Sequence, residues 1–291
     1  RRVLFRSGII APPLIIGTAA GLEPAQIGLL IAAALFVGGL ATILQTVGVK
    51  YIGAKLPLVQ GVSFAGVATM IAIVTAGGGL SAVYGAVIVA SLIGFFLAPY
   101  FSKIIRFFPP IVTGCVITVI GLSLLPVAVR WMMGGNSKAP DWGSAENISL
   151  AFLTLAIVIV LNITRNATIR RLSILLAIVL GTVLAYAMGF GDFSKVANGN
   201  WIQFPSFFAF GMPTFELSAI IAMLIVTLVI MTETTADIIA VGEIVGTKVD
   251  AERITNGLRA DMLSSAAAPI FGSFMQRSEE HTSELQSHVR I

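Results

Sequence analysis

Charge is scarce in this chain. Of its 291 residues only 11% are Asp, Glu, Lys or Arg, and 57% are hydrophobic, where a soluble domain carries about 25% charged residues. So little polarity cannot cover a water-facing surface, and it excludes a disordered chain or a basic nucleic-acid binder. The formal charge of +4 is too small for a phosphate-binding patch and reads as bias in membrane loops. The single cysteine, Cys115, lies in an apolar run, which rules out an internal disulfide and argues against a thiolate metal site. Both histidines, His281 and His288, fall near the C-terminal end, so Gly8 to Gln276 contains none. Proton chemistry there must use carboxylates. No nucleophile–base pair, metal-ligand spacing or phosphate loop is visible, so neither an enzyme nor a bound cofactor is expected. What is present is a series of long apolar runs, the mark of an integral membrane protein.

The two ends stand apart from these runs. Arg1 to Ser7 (RRVLFRS) resembles an in-frame translation of a common short-read sequencing adapter, and Arg277 to Ser287 (RSEEHTSELQS) resembles the matching adapter. Residues 1–7 and 277–291 are therefore expected to be foreign to the fold, with a natural cytoplasmic tail as the alternative for the second.

A membrane helix needs about 20 mostly apolar residues. That window places spans at about 8–20, 26–46, 57–77, 79–99, 108–129, 147–163, 171–189, 215–241 and 262–275. Lys and Arg in the loops between them are unevenly shared. Lys50, Lys55, Lys103, Arg106, Arg165, Arg170, Arg171, Lys248, Arg253 and Arg259 fall on one side; Arg130, Lys138 and Lys195 fall on the other. The first side is expected to be cytoplasmic by the positive-inside rule. Trp131, Trp142 and Trp201 all fall on the outer side, as interfacial anchors should. Gly38, Gly39, Gly85, Gly114 and Gly121 lie in spans, where small residues serve close helix packing.

Ionisable groups inside a span are costly and point to function. Glu216 lies at the outer end of the eighth span and is expected at the interface. Glu233 and Asp237 lie deeper, in Met231-Thr-Glu-Thr-Thr-Ala-Asp237. Four residues apart, they share one helix face, and no Lys or Arg of that span can neutralise them. Buried like charges on adjacent turns favour holding a proton, which is what proton-coupled transport requires. A shifted span, with both acids facing cytoplasmic water near Glu243, is the alternative. The third span, Pro57-Leu-Val-Gln-Gly-Val-Ser-Phe-Ala-Gly66, is interrupted by Pro57, Gly61 and Gly66, and its Val59, Val62 and Phe64 favour extended backbone. Non-helical backbone at membrane depth must be buried in protein or line a cavity. Followed by a half-helix, it would offer N–H groups and a dipole end to a ligand, with the Ser63 hydroxyl beside them. Phe107-Phe-Pro-Pro-Ile-Val-Thr-Gly114 reads as a helix start.

Together these segments resemble the nucleobase–ascorbate transporter family, the xanthine/uracil permeases. The matching pieces are Val59-Gln-Gly-Val-Ser-Phe-Ala65, Phe108-Pro-Pro-Ile-Val-Thr-Gly114, Glu233-Thr-Thr-Ala-Asp-Ile-Ile-Ala240, Gly257-Leu-Arg-Ala-Asp-Met262 and Phe271-Gly-Ser273. The resemblance implies an all-α polytopic membrane protein, part of a fourteen-span fold of two inverted seven-span repeats, with a short extended strand in the third span. It implies a core domain in two parts, 8–100 (spans 1–4) and 214–276 (spans 8–9), and a gate domain over 101–213 (spans 5–7). By the same resemblance Glu233 binds the nucleobase N–H groups, Gly61, Ser63 and Phe64 line the substrate site, and Glu233 with Asp237 carries proton coupling. The aspartate at 237 favours an oxidised purine, xanthine or urate, over uracil. The implied activity is symport by alternating access across the cell membrane, with a proton or sodium as coupling ion and a homodimer as the assembly. Another nucleobase permease, an anion or sulfate-type transporter of the same fold, and a non-transporting receptor are the alternatives. The family's first-span histidine would precede Gly8 and its tenth-span motif would begin just past Gln276, so the stretch alone is not expected to transport.

Overall fold

The computed structural model describes residues 9–104, 110–135, 140–190 and 205–279. The chain divides into two compact units, one spanning 122–202 and the other 8–121 with 203–291. Among the described residues four helical segments are long and apolar enough to cross a membrane: Pro24–Val47, Phe64–Phe101, Ala145–Ile163 and Leu217–Val245. The architecture of the described residues is helical and multi-pass, with one two-stranded ribbon.

The larger unit opens with α1 (Ala11–Ala19) and α2 (Pro24–Val47). Glu23 caps α2 in a reciprocal arrangement with Gln26, and Pro24 occupies its first turn, where a missing N–H costs nothing. The third span is broken, as the Pro and Gly pattern leads one to expect. It comprises the strand β1 (Val59–Val62), a 3-10 turn (Phe64–Gly66), α3 (Val67–Ile73) and a π-turn (Val74–Gly78). Then come α4 (Gly79–Ile104) and α5 (Pro110–Met132), whose residues from Leu122 on belong to the smaller unit. After 205 the unit resumes with α9 (Leu217–Val245), α10 (Ala251–Ala267) and a second strand, β2 (Gln276–Glu279). The smaller unit holds α6 (Ala145–Ile163), α7 (Ala167–Arg171) and α8 (Ser173–Ala187). There α6 packs against α8, and the Ser144 and Asn166 side chains cap α6 and α7. Arg106, Lys138, Lys195 and Trp201 lie outside the described residues.

The core of the larger unit lies where α4 meets α9 and α10, and where α2 meets β1. Small residues allow both approaches. A Cβ at Gly94 of α4 would stand 2.6 Å from Met262 Sδ, and one at Gly38 of α2 would stand 3.0 Å from the Gln60 carbonyl oxygen. Tyr84, Leu30, Met70, Met223, Ile230 and Phe274 are fully buried around these contacts. Outward-facing Leu92, Phe96 and Tyr100 on α4 and Leu217, Ile221 and Ile225 on α9 are exposed, which is the normal state of a surface whose solvent is lipid.

One expectation changes. The last helix does not run over 262–275. It starts eleven residues earlier, at Ala251, where the Asp250 side chain accepts the Arg253 N–H, and it ends at Ala267 before a 3-10 turn carrying Pro269 and a left-handed Gly272. Asp261 is therefore a mid-helix residue rather than a loop acid. Arg277, Ser278 and Glu279 pair with the third-span strand, in antiparallel register Val59–Glu279, Gln60–Ser278, Gly61–Arg277 and Val62–Gln276.

Candidate functional site

β1 is extended because Val59 and Val62 suit a pleated backbone and because each of its neighbours satisfies it. Its far edge pairs with β2, and the Gln60 N–H donates to the Thr42 hydroxyl of α2 at 2.9 Å. Just past the strand, the Ser63 N–H donates to the Met275 carbonyl at 2.9 Å. Its hydroxyl accepts the Ala65 N–H at 3.2 Å, capping the 3-10 turn that feeds α3. Ser63 is fully buried, Gly61 is buried beside Ile9, and Phe64 is half-buried at the start of the turn. The 3-10 turn packs on α9.

Glu233 and Asp237 meet this strand through Arg277, the residue opposite Gly61. One guanidinium nitrogen of Arg277, Nη1, donates to Glu233 Oε2 at 2.6 Å. The other, Nη2, stands 3.7 Å from Asp237 Oδ2 and 3.8 Å from Glu279 Oε1. Glu233 is 4% exposed, whereas Asp237 is half-buried. The i, i+4 spacing thus puts both carboxylates on the α9 face that looks at the ribbon, and one planar cation spans them. The pair is not bare, because a cation from the ribbon and not from the eighth span bridges it. Arg277 alone thus links Gly61 to Glu233 and Asp237, with Ser63 just past the strand's end.

A second polar cluster went unread in the sequence. Asp261 of α10 is fully buried. Its carboxylate accepts the Gln60 side-chain amide at 2.6 Å and the Thr234 hydroxyl at 2.7 Å. It also accepts the Ser278 hydroxyl at 2.6 Å, the Ser278 N–H at 2.9 Å and, at 3.4 Å, the Gln45 amide. The Gln60 amide oxygen in turn accepts the Ser264 hydroxyl at 2.7 Å. The Gly257-Leu-Arg-Ala-Asp-Met262 segment was the available signal, but drawing the span from 262 placed its acid in a loop. Among the described residues no cluster of His, Cys, Asp and Glu could hold a metal ion.

The model of the Permease family, that of the xanthine/uracil permeases, matches residues 3–276. The chain is 40% identical over 268 residues to a uric acid permease, PucK, of Bacillus subtilis (strain 168), covering 92% of this chain and 62% of that protein. It is 37% identical over 268 residues to a xanthine permease of the same organism (92% and 61%), and 34% identical over 291 residues to the uric acid transporter UacT of Escherichia coli (strain K12) (99% and 60%). The chain thus spans about three fifths of the length of these relatives. Among solved structures, the transmembrane domain of the cyanobacterial bicarbonate transporter BicA has a similar fold, with a TM-score of 0.65 at 18% identity over 97% of this chain and 74% of that one.

Proposed function

Because the chain belongs to the permease family of nucleobase transporters, we propose that a full-length protein carrying it imports a purine nucleobase of the xanthine or urate type, coupled to protons, by alternating access. The observation that carries this reading is the Glu233 carboxylate, 4% exposed on the α9 face that also presents Asp237 one turn along. A buried carboxylate suits the flat edge of an oxidised purine, which presents N–H donors along one side.

Glu233 binds the base, and Asp237, half-buried one turn along, is the group that takes up and releases the coupling proton. Protonation cancels intramembrane charge, and the loaded core shifts as a body. In this reading the core comprises 8–100 and 214–276, and the gate comprises 101–213. Gly61, Ser63 and Phe64 form the strand side of the slot, with Lys50, Lys103, Arg170 and Arg253 on the cytoplasmic side. Supporting the purine over an anion is the carboxylate pair itself, which repels a negative ligand unless protonated. The likeness to a bicarbonate transporter concerns the fold alone.

The test is uptake of labelled xanthine by cells that lack their own purine permeases and express the full-length protein. Competition by urate but not by uracil, sulfate or bicarbonate is the expected result. Competition by sulfate or bicarbonate in place of urate would move the chain to the anion-transporter reading.

A further inference from the structure

Asp261 makes hydrogen bonds to two elements that both carry candidate substrate residues. One of its carboxylate oxygens, Oδ1, takes the Gln60 amide of β1, one residue before Gly61 and three before Ser63. The other, Oδ2, takes the hydroxyl of Thr234, the residue after Glu233 on α9. All three side chains are fully buried. The bond to Gln60 leaves its amide oxygen to Ser264, also on α10, at 2.7 Å. The strand is therefore gripped at both ends of one side-chain amide.

We propose that Asp261 is a positioning residue that fixes the spacing between β1 and the Glu233 turn of α9, and with it the width of the substrate slot. This rests on the nucleobase reading for its substrate, but the geometry stands without it. Ser278, which also donates to Asp261, lies in the adapter-like segment, so the native hold on β1 and α9 is the one through Gln60 and Thr234. A carboxylate suits the task because it accepts at both oxygens and donates at neither. The strand's backbone bonds run to Thr42 and β2, and the Gln60 side chain adds the hold toward α10; a small error in placing groups against a ligand costs binding steeply.

The pattern predicts its own rescue. Asp261→Asn puts an N–H₂ against the Gln60 amide donor, and Gln60→Glu puts a second carboxylate against Asp261. Combining the two restores a complementary set. The introduced amide nitrogen donates to the introduced carboxylate, the introduced amide oxygen still accepts from Thr234, and Ser264 still donates to position 60.

In the full-length permease, each single variant is expected to raise the KM for xanthine about tenfold, the scale of one hydrogen bond to a charged group, with the double variant returning most of the way. A role confined to stability would lower the amount of protein in the membrane and leave KM unchanged. A readout independent of substrate is the pulsed-EPR distance between spin labels at Ala65 and Ala236. It should be narrow in the wild type and the double variant and broadened in each single variant. Wild-type KM and an unbroadened distance in Asp261→Asn, or a double variant no better than the singles, overturns the proposal. Absence of xanthine uptake by the wild type overturns the substrate reading instead, and the distance measurement then still decides the positioning role.

Discussion

Glu233 and Arg277 form an ion pair at 2.6 Å, with the carboxylate almost wholly out of solvent and the guanidinium side chain 21% exposed. The same cation reaches toward Asp237 at 3.7 Å, so two acids on adjacent turns of α9 share one partner supplied by the ribbon.

Removing that donor should be felt in the chain as it stands. Arg277→Ala leaves Glu233 buried with a like charge one turn away. Breaking a fully buried pair from one side costs about 3–5 kcal/mol, and partial exposure of Arg277 reduces this. Thermal unfolding in detergent is expected to fall by several degrees, whereas an unchanged transition would show that the pair contributes nothing to the fold.

Neighbouring glycines on α2 should behave differently. Gly38 meets the Gln60 carbonyl at 3.0 Å from a built Cβ, whereas nothing lies within 4 Å of one at Gly39. Gly38→Val pushes β1 away from α2, and overpacking of this kind costs about 1–3 kcal/mol. Gly39→Val should be close to neutral. Unfolding midpoints of the two variants check the contrast.

These contacts show which features could be read ahead of the structure. The break in the third span was legible because Pro57, Gly61 and the β-branched Val59 and Val62 act locally on the backbone. The facing of Glu233 and Asp237 was legible because helical periodicity fixes it. Asp261 was not. The first half of α10 carries Glu252, Arg253, Asn256 and Arg259, so an apolar window starts too late, and the buried lattice that satisfies its acid is made of partners 17 to 216 residues away in sequence. Nor could composition reveal β2, whose strand character comes from pairing with β1 across more than 200 residues.

Topology gives a prediction independent of the site. With Cys115 replaced by Ser, a single cysteine at Tyr51 should react with an impermeant maleimide only after the membrane is opened, and one at Asp141 should react in intact cells. Tyr51 and Asp141 are both exposed, so access depends on side alone. The reverse pattern would invert the orientation drawn from the Lys and Arg distribution.

Coupling should separate from binding at Asp237. In the full-length protein, Asp237→Asn is expected to keep binding xanthine within about tenfold, since it leaves the Glu233 carboxylate in place. It should lose the dependence of uptake on the proton gradient, measured as accumulation with and without a protonophore. A variant that still concentrates xanthine and still collapses with protonophore would remove Asp237 from the coupling step.

The most direct test concerns Glu233. Glu233→Gln keeps the side chain's size but exchanges an acceptor oxygen for a donor nitrogen, so a donating purine edge meets a donor. Concentrative uptake of labelled xanthine by the full-length Glu233→Gln protein, present in the membrane at wild-type level, should fall to the background of cells without the permease. Undiminished uptake would contradict the assignment of this carboxylate to the substrate.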